Sequence, residues 1–265
     1  MEILGYIGAI LMGLTLGLIG GGGSILTVPI LVYLLQVDPV PATAYSLFIV
    51  GLTALVGAAT FIKRKEISYL TAVVFSVPAF IAVFITRKFI VPAIPEVIVS
   101  FGTFAFTKDL FIMLLFALLM VAAAVSMIRK RKFSVDEDEL VFNYPLILIE
   151  GFIVGILTGL VGAGGGFLII PALVILAKLP MKMAVGTSLL IIAVKSLIGF
   201  IGDIGTNLIV DWGFVTLFSS LAVIGIFVGS YLSKFISNEK LKPAFGWFVL
   251  VMGFYIIGKE FYTSL

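Results

Sequence analysis

Two apolar stretches, residues 3–35 and 145–177, each run past 30 residues and are broken near the middle by glycines. The first break is Gly20-Gly21-Gly22-Gly23 and the second Gly162-Ala163-Gly164-Gly165-Gly166, with Pro29 and Pro171 following. A membrane-crossing helix needs roughly 20 residues to span about 30 Å of hydrocarbon, so neither stretch reads as one helix. Each reads as two helical pieces joined by a glycine turn. Ser24 to Leu35 is 12 residues, roughly 18 Å of helix at about 1.5 Å per residue, which carries the chain from the bilayer midplane to one surface. Lipid cannot satisfy non-helical backbone at that depth, so the turn must be buried in protein or line a cavity.

The other apolar stretches, at about 42–62, 67–86, 110–128, 183–202, 213–233 and 244–258, each suit one spanning helix. The 265 residues are 62% hydrophobic and 12% charged, with a mean hydropathy of +1.28, where soluble domains are about 45–50% apolar. The fold expected is therefore an all-α integral membrane protein in a lipid bilayer. There is no His and no Cys, which removes the usual zinc, haem and iron–sulfur ligand sets and any thiol nucleophile. No metal, cofactor or enzymatic chemistry is indicated. The net charge of +3 sits in short clusters, a sign of membrane topology rather than of nucleic-acid binding. Glu2 and the absence of an early basic residue argue against a cleaved signal peptide, so the amino terminus is expected in the mature fold.

The two broken stretches also expose an internal repeat. GLTLGLIGGGGSILTVPILVYL from Gly13 aligns with GILTGLVGAGGGFLIIPALVIL from Gly155 at an offset of 142. Pro29 then falls on Pro171 and Ser46 on Ser188. The offset reaches 146 at Lys88-Phe89-Ile90 and Lys234-Phe235-Ile236, which places a short insertion between 202 and 211. The domains expected are a first repeat at 1–128, a charged linker at 129–143 and a second repeat at 144–265.

Loop charges decide whether the repeats are parallel or inverted. If each broken stretch crosses once, the basic residues divide eight to eight between the two sides. If each returns to its starting side, as two crossings or a re-entrant hairpin, one side gathers twelve, and Arg87, Lys88, Lys108 and Lys259 remain on the other. The second split is the biased one expected of a membrane protein. It predicts two inverted halves, each a glycine-broken segment plus three transmembrane helices. It places the linker in the cytoplasm and both termini outside a plasma membrane. Lys195, the seventeenth basic residue, lies inside a span.

Each glycine turn opens the amino end of a short helix, from Ser24 and from Phe167, where free N–H groups and partial positive charge favour an anion. Broken helices meeting from two repeats are a transporter arrangement. The competing reading is close helix packing, which Gly13-x-x-x-Gly17, Gly155-x-x-x-Gly159 and Gly225-x-x-x-Gly229 suit better than the glycine clusters do. Lys195 is too deep to reach a surface easily and is expected either to hold the anion's charge or change protonation during the cycle, or else to pair with Asp203 or with helix-end carbonyls. Ser46, Thr187 and Ser188 have hydroxyls that suit oxyanion oxygens or helix-to-helix bonds equally. Thr206 and Asn207 are expected in a solvated outer loop, and Glu150 near a helix start.

The paired GLIGGGGSILTVP and GLVGAGGGFLIIP, followed by AYSL at 44–47 and GTSL at 186–189, resemble the TauE/SafE family of sulfite exporters, also called TSUP. The resemblance covers both halves. It implies secondary transport, often export, of sulfite, thiosulfate or small organosulfonates. The site residues it implies are Gly20, Gly22 and Gly23, then Gly162, Gly164 and Gly165, with Pro29 and Pro171 as structural motif and Ser46, Thr187 and Ser188 beside them; Ser24 and Gly166 at the helix starts and the deep Lys195 complete the candidate substrate site. The chain departs from the paired pattern at Tyr45 against Thr187 and at Thr53 against Lys195, so the half-sites are chemically unequal. Other readings stay open at this point: a carrier of another small anion such as a carboxylate, an anion channel, or an assembly factor without substrate. Proton coupling through Lys195, Asp203 or Glu150 is also left open.

Overall fold

A computed structural model describes residues 2–101, 104–128, 144–175, 177–204, 210–233, 235 and 238–264. The linker at 129–143, with Thr206 and Asn207, lies outside them. The chain begins with α1 (Glu2–Ile19), which stops at Gly20. A return segment, Gly21–Leu34, follows as a 3-10 stretch, one α turn at Thr27–Pro29 and a π stretch at Ile30–Leu34. Pro29 supplies no N–H to a helical ladder, and the wider π turn directly after it accommodates that gap. Three spanning helices complete the half: α2 (Pro39–Lys63), α3 (Tyr69–Ala93) and α4 (Lys108–Ile128). The second half repeats the order with α5 (Tyr144–Val161), α6 (Gly166–Ile175), α7 (Met181–Asp203), α8 (Trp212–Leu232) and α9 (Asn238–Ser264). Six of these helices are long and apolar enough to cross a bilayer. The protein is an all-α multi-pass membrane protein.

One element departs from the helical expectation. Between α3 and α4, β1 (Val97–Phe101) and β2 (Phe104–Thr107) pair as an antiparallel hairpin. It is rich in Val, Ile and Phe, residues that suit a strand, and the Lys108 N–H donates to the Glu96 carbonyl at its base.

The equivalent helices pack across the halves rather than within them. α1 lies on α8 and α5 lies on α3. Gly13 and Gly17 abut the Ala222 and Ile226 carbonyls, and Gly225 and Gly229 abut the Ile10 and Leu14 carbonyls. In the other pair, Gly151 and Gly155 abut the Phe75 and Ala79 carbonyls. With little hydrophobic drive inside lipid, small residues that let backbones approach supply the packing. The GxxxG pairs read from sequence do that here. The two central pairs are formed by true repeat equivalents. In α2 and α7, Gly51 meets Leu197 and Gly199 meets Leu47, so the helices run antiparallel. In α4 and α9, Gly246 meets Met127 and Gly253 meets Val121, again antiparallel.

The return segment doubles back along α1. Gly8 faces the side chain of Ile30 and Gly5 faces that of Leu35. Tyr33 Oη donates to Glu260 Oε1 at 2.6 Å, and Lys259 Nζ lies 4.3 Å from the Tyr33 ring centroid, tying the returned end to α9. Arg87 does not sit in a loop, where the charge tally put it. It is fully buried in the last part of α3, which continues to Ala93.

Candidate functional site

The two glycine breaks meet inside the bundle. Gly21 and Gly166 are in backbone contact, with no room for a Cβ on either. A Cβ on Gly164 would lie 3.1 Å from the Cβ of Ser24. Every residue from Leu16 to Leu31, and from Val161 to Gly166, is buried. Ile192 of α7 and Val50 of α2, equivalent positions in the repeat, press on Gly21 and Gly164 respectively.

The two breaks have different conformations. In the first, Gly20 alone has positive φ (75°), the Gly23 N–H donates to the Gly20 carbonyl at 3.4 Å, and a 3-10 helix follows at once. Ser24 Oγ donates to the Gly21 carbonyl at 2.7 Å and closes that turn. In the second, Gly162, Gly164 and Gly165 all have positive φ, at 69°, 63° and 71°. The backbone turns tightly there, with the Gly165 N–H donating to the Ala163 carbonyl at 2.6 Å, until α6 opens at Gly166. The Leu168 and Ile169 N–H groups donate to the Gly165 carbonyl at 3.0 and 3.1 Å. The N–H groups at the very start of α6 have no acceptor within the helix and face the break.

Lys195 stands at this second break. A Cβ on Gly165 would sit 2.8 Å from Lys195 Nζ. The amine is fully buried and donates to Thr158 Oγ1 at 2.7 Å. Thr158 also donates to the Val154 carbonyl, which orients its lone pairs toward the lysine. Asp203, the carboxylate weighed as a partner for Lys195, is held by Arg87 instead. The repeat equivalents of Lys195 and Thr158 are Thr53 and Leu16. Thr53 only donates to the Ile49 carbonyl of its own helix.

Of the other residues read from sequence, Ser46 belongs to the breaks. Its Oγ donates to the Gly162 carbonyl at 2.7 Å, one half bonding the other. Ser188 bonds the Val185 carbonyl of its own helix. Gly20 faces Val185, Gly22 is the roomiest of its cluster with Ile19 nearest at 3.2 Å, and Gly23 packs on Leu16 and Thr15. Thr187 Oγ1 accepts the Ser68 N–H at 3.0 Å, at the residue that precedes α3. Tyr45, its repeat equivalent, does the same with the Asp211 N–H at 3.1 Å, at the residue that precedes α8. Two different side chains thus perform one structural task. Pro29 is buried in the return segment; Pro171 lies within α6.

The sequence reading missed Arg87, Thr43 and Thr158. The apolar run Phe89-Ile90-Val91 after Arg87 and Lys88 is the signal that α3 continues past them. Nothing local pointed to Thr158 as the acceptor for Lys195.

The sequence signature of the family described as "Sulfite exporter TauE/SafE" matches residues 5–256. A "Probable membrane transporter protein" of Xylella fastidiosa is 29% identical over 256 residues, covering 94% of this chain and 92% of its own. A protein of the same description from Methanocaldococcus jannaschii is 35% identical over 250 residues, covering 88% and 86%. A third, from Bacillus subtilis, is 28% identical over 263 residues, covering 90% of each. No solved structure matches. With one family signature spanning both halves and both glycine breaks, the chain belongs to the TauE/SafE family and is a membrane transporter of that type.

Proposed function

We propose that this transporter carries a small sulfur-containing oxyanion, such as sulfite, thiosulfate or a sulfonate, outward across the plasma membrane from a site between the two glycine breaks. The observation that carries the reading is Lys195 Nζ at the second break, beside backbone N–H groups that open a helix and against the first break. Protonated, Lys195 has Thr158 and no carboxylate as its hydrogen-bond partner among the described residues. A buried cation so placed is completed by an anion. Burial of both breaks on all sides favours a carrier that exposes its site alternately over a channel with a continuous pore.

We further infer that the halves are inverted, since repeat equivalents α2 and α7, and α4 and α9, pack antiparallel. The biased charge distribution then puts the 129–143 linker in the cytoplasm and both termini outside. Uptake of labelled sulfite into proteoliposomes tests the proposal, with methanesulfonate and acetate as competitors. Saturable flux blocked by methanesulfonate and not by acetate, and lost in Lys195→Ala, supports it. Folded protein that moves none of them overturns it.

A further inference from the structure

We propose that Arg87 is a second oxyanion-binding residue on the transport path, and that Asp203 occupies its guanidinium until substrate takes the carboxylate's place. This deepens the transport reading above and rests on it.

Arg87 is fully buried near the end of α3. Its Nε donates to both carboxylate oxygens of Asp203, at 2.9 and 2.8 Å. Nη1 donates to Thr43 Oγ1 at 2.9 Å and to the Gly159 carbonyl at 3.3 Å. Nη2 has no hydrogen-bond partner among the described residues, and neither does Thr86 Oγ1 beside it in sequence. A guanidinium and a carboxylate pair best as a fork, with two parallel N–H bonds to two oxygens. Here both oxygens crowd onto one N–H, and the donor that would complete the fork is left unused. A buried polar group without a partner costs about 1–3 kcal/mol. A charged donor left over inside a membrane protein is the more costly kind, so its retention points to a ligand that uses it.

Position supports this. The pair joins the two halves: Arg87 and Thr43 belong to the first, Asp203 and Gly159 to the second. Thr43, which accepts from Arg87, also packs on Gly162, the first residue of the second break, where a Cβ would lie 2.6 Å from its own. Arg87 is therefore one residue removed from the proposed site, toward the end of the bundle where α7 closes. The matching positions in the other half lack these groups. At the repeat equivalents of Thr43, Asp203 and Arg87 stand Val185, Phe61 and Ser233, and Val185 packs on Gly20 as Thr43 packs on Gly162. One route away from the breaks carries a cation; the matching route does not. A sulfonate or sulfite has three oxygens where a carboxylate has two, so it can engage Nε and the idle Nη2 together and still accept from a neighbouring hydroxyl.

The test is calorimetric binding of sulfite, methanesulfonate and acetate to detergent-purified wild type, Asp203→Asn, Arg87→Gln/Asp203→Asn and Lys195→Ala. Asp203→Asn frees the guanidinium at almost unchanged shape and is expected to bind sulfite and methanesulfonate at least tenfold more tightly, and acetate by less. The double variant removes both members of the ion pair together, so neither charge is left without the other; it is expected to fold and to lose that gain. Binding in wild type that Asp203→Asn leaves unchanged, with Lys195→Ala abolishing it, overturns this inference and leaves the transport reading standing. Absence of sulfite and methanesulfonate binding in wild type and Asp203→Asn alike overturns both.

Discussion

The two glycine breaks descend from one sequence pattern and have become different devices. The first needs positive φ only at Gly20 and passes straight into a 3-10 helix. The second needs it at three residues, turns tightly before its helix begins and has the buried lysine against it. The two breaks share a sequence pattern, while the side chains around each differ in chemistry. Gly22 is the one glycine of the first break with room for a Cβ, whereas Gly165 of the second has Thr158 and the Lys195 amine against it.

Four tests would break or sharpen this contrast. The largest effect is expected from Gly165→Ala. An alanine there takes a left-handed conformation costing about 1–2 kcal/mol, and its Cβ meets Thr158 and Lys195 Nζ. Transport should be lost and the melting temperature lowered, whereas Gly22→Ala, with Ile19 nearest at 3.2 Å and no positive φ, should keep most of its flux. Equal damage from the two would erase the distinction. Next comes Lys195→Met, expected to cut flux at least about tenfold, equivalent to about 1.4 kcal/mol of lost binding. Its melting temperature should hold or rise, because a buried amine is removed; a fall in both would make the lysine structural.

Smaller is Ser46→Ala, which strips the side-chain donor from the buried Gly162 carbonyl, an acceptor worth about 1–3 kcal/mol when orphaned. Ser188→Ala, whose hydroxyl bonds its own helix, should cost a few tenths. Denaturation midpoints in detergent read this difference, and equal losses would mean the breaks are braced alike. Smallest is the contrast between Tyr45→Phe and Thr187→Val. Each removes one acceptor from a helix-start N–H, worth about 0.5–1.5 kcal/mol, and the two should match within error. A much larger loss of transport in Thr187→Val alone would assign that hydroxyl to substrate.

Most of the frame was legible because it is written in spacing: the lengths of apolar runs, the glycine breaks and the 142-residue repeat. The depth of Lys195 was legible for the same reason. Its partner was not, since Thr158 and Lys195 are 37 residues apart and meet only once α5 and α7 are placed. Arg87 beside Lys88 looked like a flank, and only Asp203, 116 residues away, explains how the bundle tolerates it. The hairpin at 97–107 escaped because five- and four-residue strands between long helices leave little periodic signal.

The cross-packing of the halves also bears on how the protein is made. α1 leaves the ribosome well before α8, but the groove that receives Gly13 and Gly17 lies on α8, around Ala222 and Ile226. At about 5–20 residues per second, α1 waits on the order of 10–40 s in the membrane for its partner. During that time its glycine face is open to lipid or to other nascent chains. A chain arrested after residue 204 would hold four of the six long spanning helices yet leave α1 without a seat.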